Sequence, residues 1–183
     1  MGFINRIKTI CWERAIKPYS ASGNRDRKTF NLDTAQHVGV IYNASEEHMI
    51  KEADEFFTYL KERDIKHTSI GYAKYPIVPH YCIPQLTKHF ICKKDLNFCW
   101  IPRKSKIKLF TDEQYDLLIS LDIEQNKTLQ FIAAVTKAKF KAGYYDEANL
   151  PFFDFLLKSD RAEIKEYIKQ LIHYLSVFNT KPL

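Results

Sequence analysis

Apolar residues follow two rhythms along the chain. "HVGVIYNAS", "HTSIGYAKY" and "KFKAGYY" are short runs of β-branched and aromatic residues that predict strands, the first over residues 38–42. "QYDLLISLD" is nearly continuous Leu and Ile, the pattern of a strand buried on both faces of a parallel sheet. Between these runs the period lengthens to that of a helix. "EEHMIKEADEFFTYLKERDI" places Met49, Ala53, Phe56, Phe57 and Leu60 on one side, and "NKTLQFIAAVTKAK" offers Leu129, Ile132, Ala133 and Val135 to a sheet. "RAEIKEYIKQLIHYLSVFN" closes the chain with Ile164, Ile168, Leu171, Ile172 and Leu175 on one stripe. Ser45 is a half-made cap for the first of these helices. His48 stands where a capping box wants an acid or amide, although Glu46 and Glu47 favour a helix start.

The less regular stretches complete the order. "PIVPHYCIPQL" has three prolines and reads as a loop or edge element, "HFIC" as a short strand, and "LPFFDFLLK" as a strand or one helical turn. Strands alternating with helices argue for a three-layer, Rossmann-like α/β sandwich with a mainly parallel sheet. Ahead of it, "FINRIKTICWERAIK" predicts a short amphipathic helix over residues 3–17. Phe3, Ile4, Ile7, Ile10 and Cys11 share one arc, which Arg14 interrupts. "KPYSASGNRDRKTFN" is polar and rich in breakers. Residues 1–32 are therefore expected to form a basic helical arm and linker, and residues 33–183 a single α/β domain.

Composition narrows the class. A chain of 183 residues with 45% hydrophobic content can bury a core without metal or disulfide staples. No apolar run reaches membrane-spanning length, no secretory h-region opens the chain, and Arg6 replaces the Ser or Thr of a myristoylation signal. Cys11, Cys82, Cys92 and Cys99 are too sparse for a disulfide scaffold and are expected to be reduced thiols, so the expected location is cytoplasmic.

Charge changes the picture more. The net charge is +6, but residues 1–31 hold seven Lys/Arg against two acids and residues 88–108 hold seven against one. Two basic segments on a mildly acidic body point to a polyanionic partner. In "KKDLNFCWIPRKSKIK" the cations Lys93, Lys94, Arg103, Lys104, Lys106 and Lys108 accompany Phe98 and Trp100. Cations neutralise phosphates and exposed rings stack on unpaired bases, so RNA or a ribosome is the expected partner, with Trp100 as the stacking group and Arg25, Arg27 and Lys28 adding reach. The plainer alternative is a solvated lysine loop whose rings pack the sheet edge. The N-terminal helix is expected to dock on the domain or on a partner protein; an anionic membrane surface is the other candidate.

Asp122, at the end of its strand, would line a cleft with Asn126 if the domain held a ligand, since such sites collect beyond strand carboxyl ends. The expected role is more local: Asp122, Glu124 and Asn126 form the loop and cap that open the next helix. No glycine-rich phosphate loop and no nucleophile elbow is present. His80, Cys82, His89 and Cys92 lack the tight paired spacing of structural zinc, so no metal, no cofactor and no catalytic residue is expected.

Three stretches carry a resemblance. "RKTFNLDTAQHVGVIYNASEEH", "FICKKDLNFCW" and "YDLLISLDIEQNKTLQFIAAVTKAKFKAGYYDE" resemble, in order, the landmarks of a Bacteroidota family catalogued as a domain of unknown function. The resemblance implies a small cytoplasmic protein and no particular activity. "KAKFKAGYY" after an Asp-ended strand and a helix is also similar to the amino-terminal half of heptosyltransferase-type glycosyltransferases, without their second nucleotide-sugar domain. The expectation is a non-catalytic binding protein. The alternatives are a degenerate nucleotide-sugar-binding domain using Asp122 and Asn126, and a peripheral membrane or secretion-accessory protein.

Overall fold

The computed structural model describes residues 2–20, 26–159 and 163–177. Its sheet has six strands: β1 (His37–Asn43), β2 (Lys66–Ala73), β3 (Lys88–Cys92), β4 (Gln114–Ser120), β5 (Lys137–Tyr144) and β6 (Phe155–Leu157). They lie in the order β3-β2-β1-β4-β5-β6, and every ladder is parallel. Register is set at the centre by Val38 opposite Leu117 and Gly39 opposite Leu118. At the far edge three residues of "LPFFDFLLK" pair with β5, Phe155 opposite Ala142, so that stretch is a strand.

Among the described residues, five α-helices cover the sheet: α1 (Phe3–Ile16), α2 (Glu47–Glu62), α3 (Lys104–Thr111), α4 (Lys127–Val135) and α5 (Ile164–Val177). Alternation along the strands divides the core in two. Val38, Val40, Tyr42, Leu117 and Ile119 meet Phe56 and Leu60 of α2 and Tyr167 and Leu171 of α5. Ile41, Ile70 and Leu118 meet Ile107 and Phe110 of α3, Leu129 and Ile132 of α4, and Trp12 and Ile16 of α1. This is the three-layer α/β sandwich that the alternating elements predict.

Some local expectations change. Ser45 does not cap α2: Glu46 occupies the N-cap position, and the Ser45 hydroxyl accepts a bond from the Lys74 N–H (3.0 Å). Part of the lysine-rich stretch is a helix, α3, because Ile107, Phe110 and Thr111 form one buried face that the surrounding lysines obscure in the pattern. The segment expected to be an arm is packed: Trp12, Ile16, Phe30 and Leu32 are all buried.

Two corrections concern α1. Its docked side is not the predicted apolar arc. Trp12 and Ile16 face the domain, while Phe3, Ile4, Ile7 and Ile10 face outward. Trp12 prevails because its large ring reaches α4 and finds a hydrogen-bond partner there. Cys11 and Cys99 are not free thiols but a disulfide, with Cα atoms 5.8 Å apart. They are 88 residues apart in the chain, and only the fold brings them within bonding reach. Cys82 and Cys92 are free and buried.

Candidate functional site

In a sheet of this order, β1 and β4 are neighbours whose connections run in opposite directions. Doubly wound domains bind ligands in the crevice between the carboxyl ends of two such strands. Here that crevice is filled by its own side chains. Asn43, closing β1, donates to the Glu124 carboxylate (2.6 Å) and accepts the Ser45 N–H (2.9 Å). Asp122 accepts the N–H groups of Glu124 (3.2 Å) and Asn126 (2.6 Å). Asn126 in turn caps α4, accepting from the N–H groups of Thr128 and Leu129. The space left is about 10 Å³, lined by Asn43, Leu121, Asp122 and Glu124 among others. That holds about one water molecule and no nucleotide.

Asp122 is buried, and desolvation pushes its carboxyl up to about 6, partly opposed by the two backbone N–H bonds. The same burial raises the Tyr167 phenol, whose hydroxyl donates to the Ser120 carbonyl (3.0 Å). A raised carboxyl in a cleft is a signature of acid–base chemistry. Here it sits in a closed pocket with its acceptor capacity spent on the backbone, so it shapes the loop.

The basic segment leads to a different place. Leaving β3, the chain forms a 3-10 turn over Lys93–Asp95, a loop, and then α3. Asn97 shapes the loop by accepting the N–H groups of Cys99 (2.8 Å) and Ile101 (3.1 Å), with Trp100 at a positive φ of 59°. Across this loop lies α1. Cys11 is bonded to Cys99, and Lys8 lies 4.9 Å from the Phe98 ring centre and 5.5 Å from that of Trp100. Lys127, opening α4, completes the arrangement. Its ammonium donates to Thr9 (3.0 Å) and lies over the rings of Trp12 (5.3 Å) and Trp100 (5.0 Å), while its carbonyl accepts the Trp12 indole N–H (3.0 Å). α1 and the loop that holds Phe98 and Trp100 are thus clasped together at the carboxyl edge of the sheet.

The predicted residues divide on this frame. Lys93, Lys94, Arg103, Lys104 and Lys108 are exposed, with no ion pair among the described residues. Lys106 is committed to Asp95 (3.2 Å). Burial pushes the Asp95 carboxyl up, but hydrogen bonds from Cys92 and Lys106 outweigh it and hold it below its usual value. Trp100 is half-buried beneath two lysines, its carbonyl bound by the Thr128 hydroxyl (3.0 Å); Phe98 is the ring open to solvent, 58% exposed. Arg27 and Lys28 lie elsewhere. Arg27 faces Asp154 (3.7 Å), and the Lys28 N–H bonds the Lys139 carbonyl on β5, which three strands separate from β3 in the sheet. Arg25 falls outside the described residues. Lys8 and Lys127 are the additions that candidate lists drawn from the sequence miss, because only the docking of α1 makes them neighbours.

The cations of α3 violate a local rule. Arg103 and Lys104 sit at its N-terminus, no acid occupies its first turn, and no side chain caps it. Positive charge there opposes the helix dipole, at about 0.3–1 kcal/mol each. The helix itself gains nothing from that placement.

Other clusters are structural. His37 approaches Thr68 (3.3 Å) and Glu113 (3.3 Å), but Thr68 is buried; desolvation and then Lys66 lower the imidazole's pKa. The Cys82 thiol donates to the Ala44 carbonyl, and Cys92 to Pro76 and Asp95; burial raises both thiols, Cys82 to about 11. A cavity of about 500 Å³ opens where β4 and β5 begin, with Tyr19, Tyr115, Lys137 and Phe152 on its wall. Lys139, also on it, is paired with Asp116 (2.9 Å).

Fold and site together define an all-parallel, doubly wound α/β domain whose crevice between β1 and β4 is, among the described residues, filled by its own side chains. The chain belongs to a family of unknown function, DUF6913, whose model matches residues 8–178. No curated protein matches it significantly. Among the described residues, no helix is long and apolar enough to cross a membrane.

Proposed function

We propose that the protein is a non-catalytic cytoplasmic module that binds RNA, free or within a ribosome, on the clasped basic face. The observation that carries this is the joining of Lys8 and Lys127 to the segment 93–108 around Phe98 and Trp100, beside five exposed cations with no ion pair among the described residues. Unpaired cations offer phosphates a gain in electrostatic energy and release of counterions, and an exposed ring offers a base a stacking surface. Phe98, 58% exposed and faced by Lys8 alone, is a better platform than Trp100, which both Lys8 and Lys127 face. Beside the disulfide, the Trp12–Lys127 hydrogen bond joins α1 to α4, and Lys8 joins it to the loop through Phe98 and Trp100.

The heptosyltransferase-like alternative would seat a nucleotide sugar beside Asp122 and Asn126. The crevice there admits about one water, which does not support it.

Filter binding of single-stranded RNA tests the proposal. With about five phosphates neutralised, affinity falls about 100-fold between about 50 and 200 mM salt. Replacing Lys93, Lys104 and Lys108 together by Glu lowers affinity more than about tenfold and flattens that salt dependence. Phe98→Ala weakens single-stranded RNA by about tenfold and duplex RNA much less, because only unpaired bases stack. Binding indifferent to salt and to the triple reversal would reject the proposal.

A further inference from the structure

We propose that the outward face of α1 docks on an anionic lipid surface. Phe3, Ile4, Ile7 and Ile10 are 78%, 61%, 42% and 42% exposed. At 100° per residue they occupy one arc of about 120°, along about 10 Å of helix. The opposite side is already committed, since Trp12 and Ile16 are buried against the domain, and Cys11, at the margin of the stripe, is tied to Cys99. The helix therefore cannot hide the stripe by rolling onto its own domain. Single exposed apolar residues are ordinary on a protein surface; four large ones in a row on one helix face are not.

The charges around the stripe identify the occupant. Arg6 and Lys17 flank one side, Arg14 lies within the arc, and Glu13 is the one acid of the helix; all four are exposed. An apolar stripe one to two turns long, bordered on one side by Arg6 and Lys17 and crossed by Arg14, matches the boundary between acyl chains and anionic headgroups, where such helices sit about 5–10 Å deep. Each cation near that surface adds about fivefold to binding, and the effect fades with salt. The stripe does not include Lys8, the α1 residue whose ammonium lies over Phe98 and Trp100.

Flotation of the RNase-treated full chain with phosphatidylcholine vesicles, with and without phosphatidylglycerol, tests this. The protein floats with the anionic vesicles and not with the neutral ones. The double variant Ile4→Asp and Ile7→Asp loses flotation by at least about tenfold while keeping its RNA affinity, and Arg6→Glu with Arg14→Glu loses about as much. Reversal of Lys93, Lys104 and Lys108 leaves flotation largely intact, which separates this proposal from the RNA reading. Equal flotation with neutral vesicles, or flotation unchanged by the Asp variant, overturns it. So does a stripe-dependent dimer in sedimentation that does not float, which would assign the face to a second copy of the chain.

Discussion

Asp122 accepts two backbone N–H groups in a closed pocket and so fixes the turn from β4 to α4. Asp122→Ala leaves both donors unpaired, at about 1–3 kcal/mol. Its pH dependence is specific. The ordinary carboxyl titrates near 3.8 and the buried one near 6, so between these values the folded chain binds more protons than the unfolded one. Stability from this group is therefore full below the lower value and is lost as pH rises through the upper one. Urea unfolding of wild type and variant is expected to show a difference larger at about pH 5 than at about pH 7.5, by about 1 kcal/mol. His37 and His67, whose burial holds their imidazoles low, act in the opposite direction, but in both proteins, and cancel. The cap formed by Asp122 and Asn126 is legible in the sequence because it is local: short polar side chains following an apolar run have nearby amides to satisfy. Lys8 and Lys127 are not legible, since their meeting over Trp100 joins residues more than a hundred positions apart.

Among the elements, α1 is the one whose existence is legible and whose orientation is not. The 3.6 period predicts a helix, and an arc centred on Phe3, Ile7 and Ile10 predicts the wrong docked side. Pattern alone ranks faces by apolar count. One buried Trp that donates its N–H to Lys127 outweighs four smaller groups that stay exposed. Trp12→Ala should cost about 3 kcal/mol. Hydrogen exchange is expected to show the α1 amides losing protection while those of β1 and β4 keep theirs, since local opening follows local contacts. The helix α3 is missed for the reverse reason. Two apolar residues and a threonine are too few for a visible stripe, and tertiary packing supplies what periodicity lacks.

Seen whole, the α/β class follows from the alternation of periods, because parallel strands need crossovers and helices supply them. The strand order does not follow from that alternation. With it comes the switch point between β1 and β4, a place where ligands bind in related architectures and which Asn43, Asp122 and Glu124 close in this one. The proposed RNA site lies elsewhere, on residues that β3, α3, α4 and α1 bring together. The proposal that this face holds RNA is tested by sedimentation of the tagged protein from native lysate on a sucrose gradient. Wild type should travel with ribosomal or other RNA fractions at low salt, and return to the top of the gradient at high salt, after RNase, or when Lys93, Lys104 and Lys108 are reversed. Protein that stays at the top under every condition, or travels unchanged through salt and RNase, would contradict it.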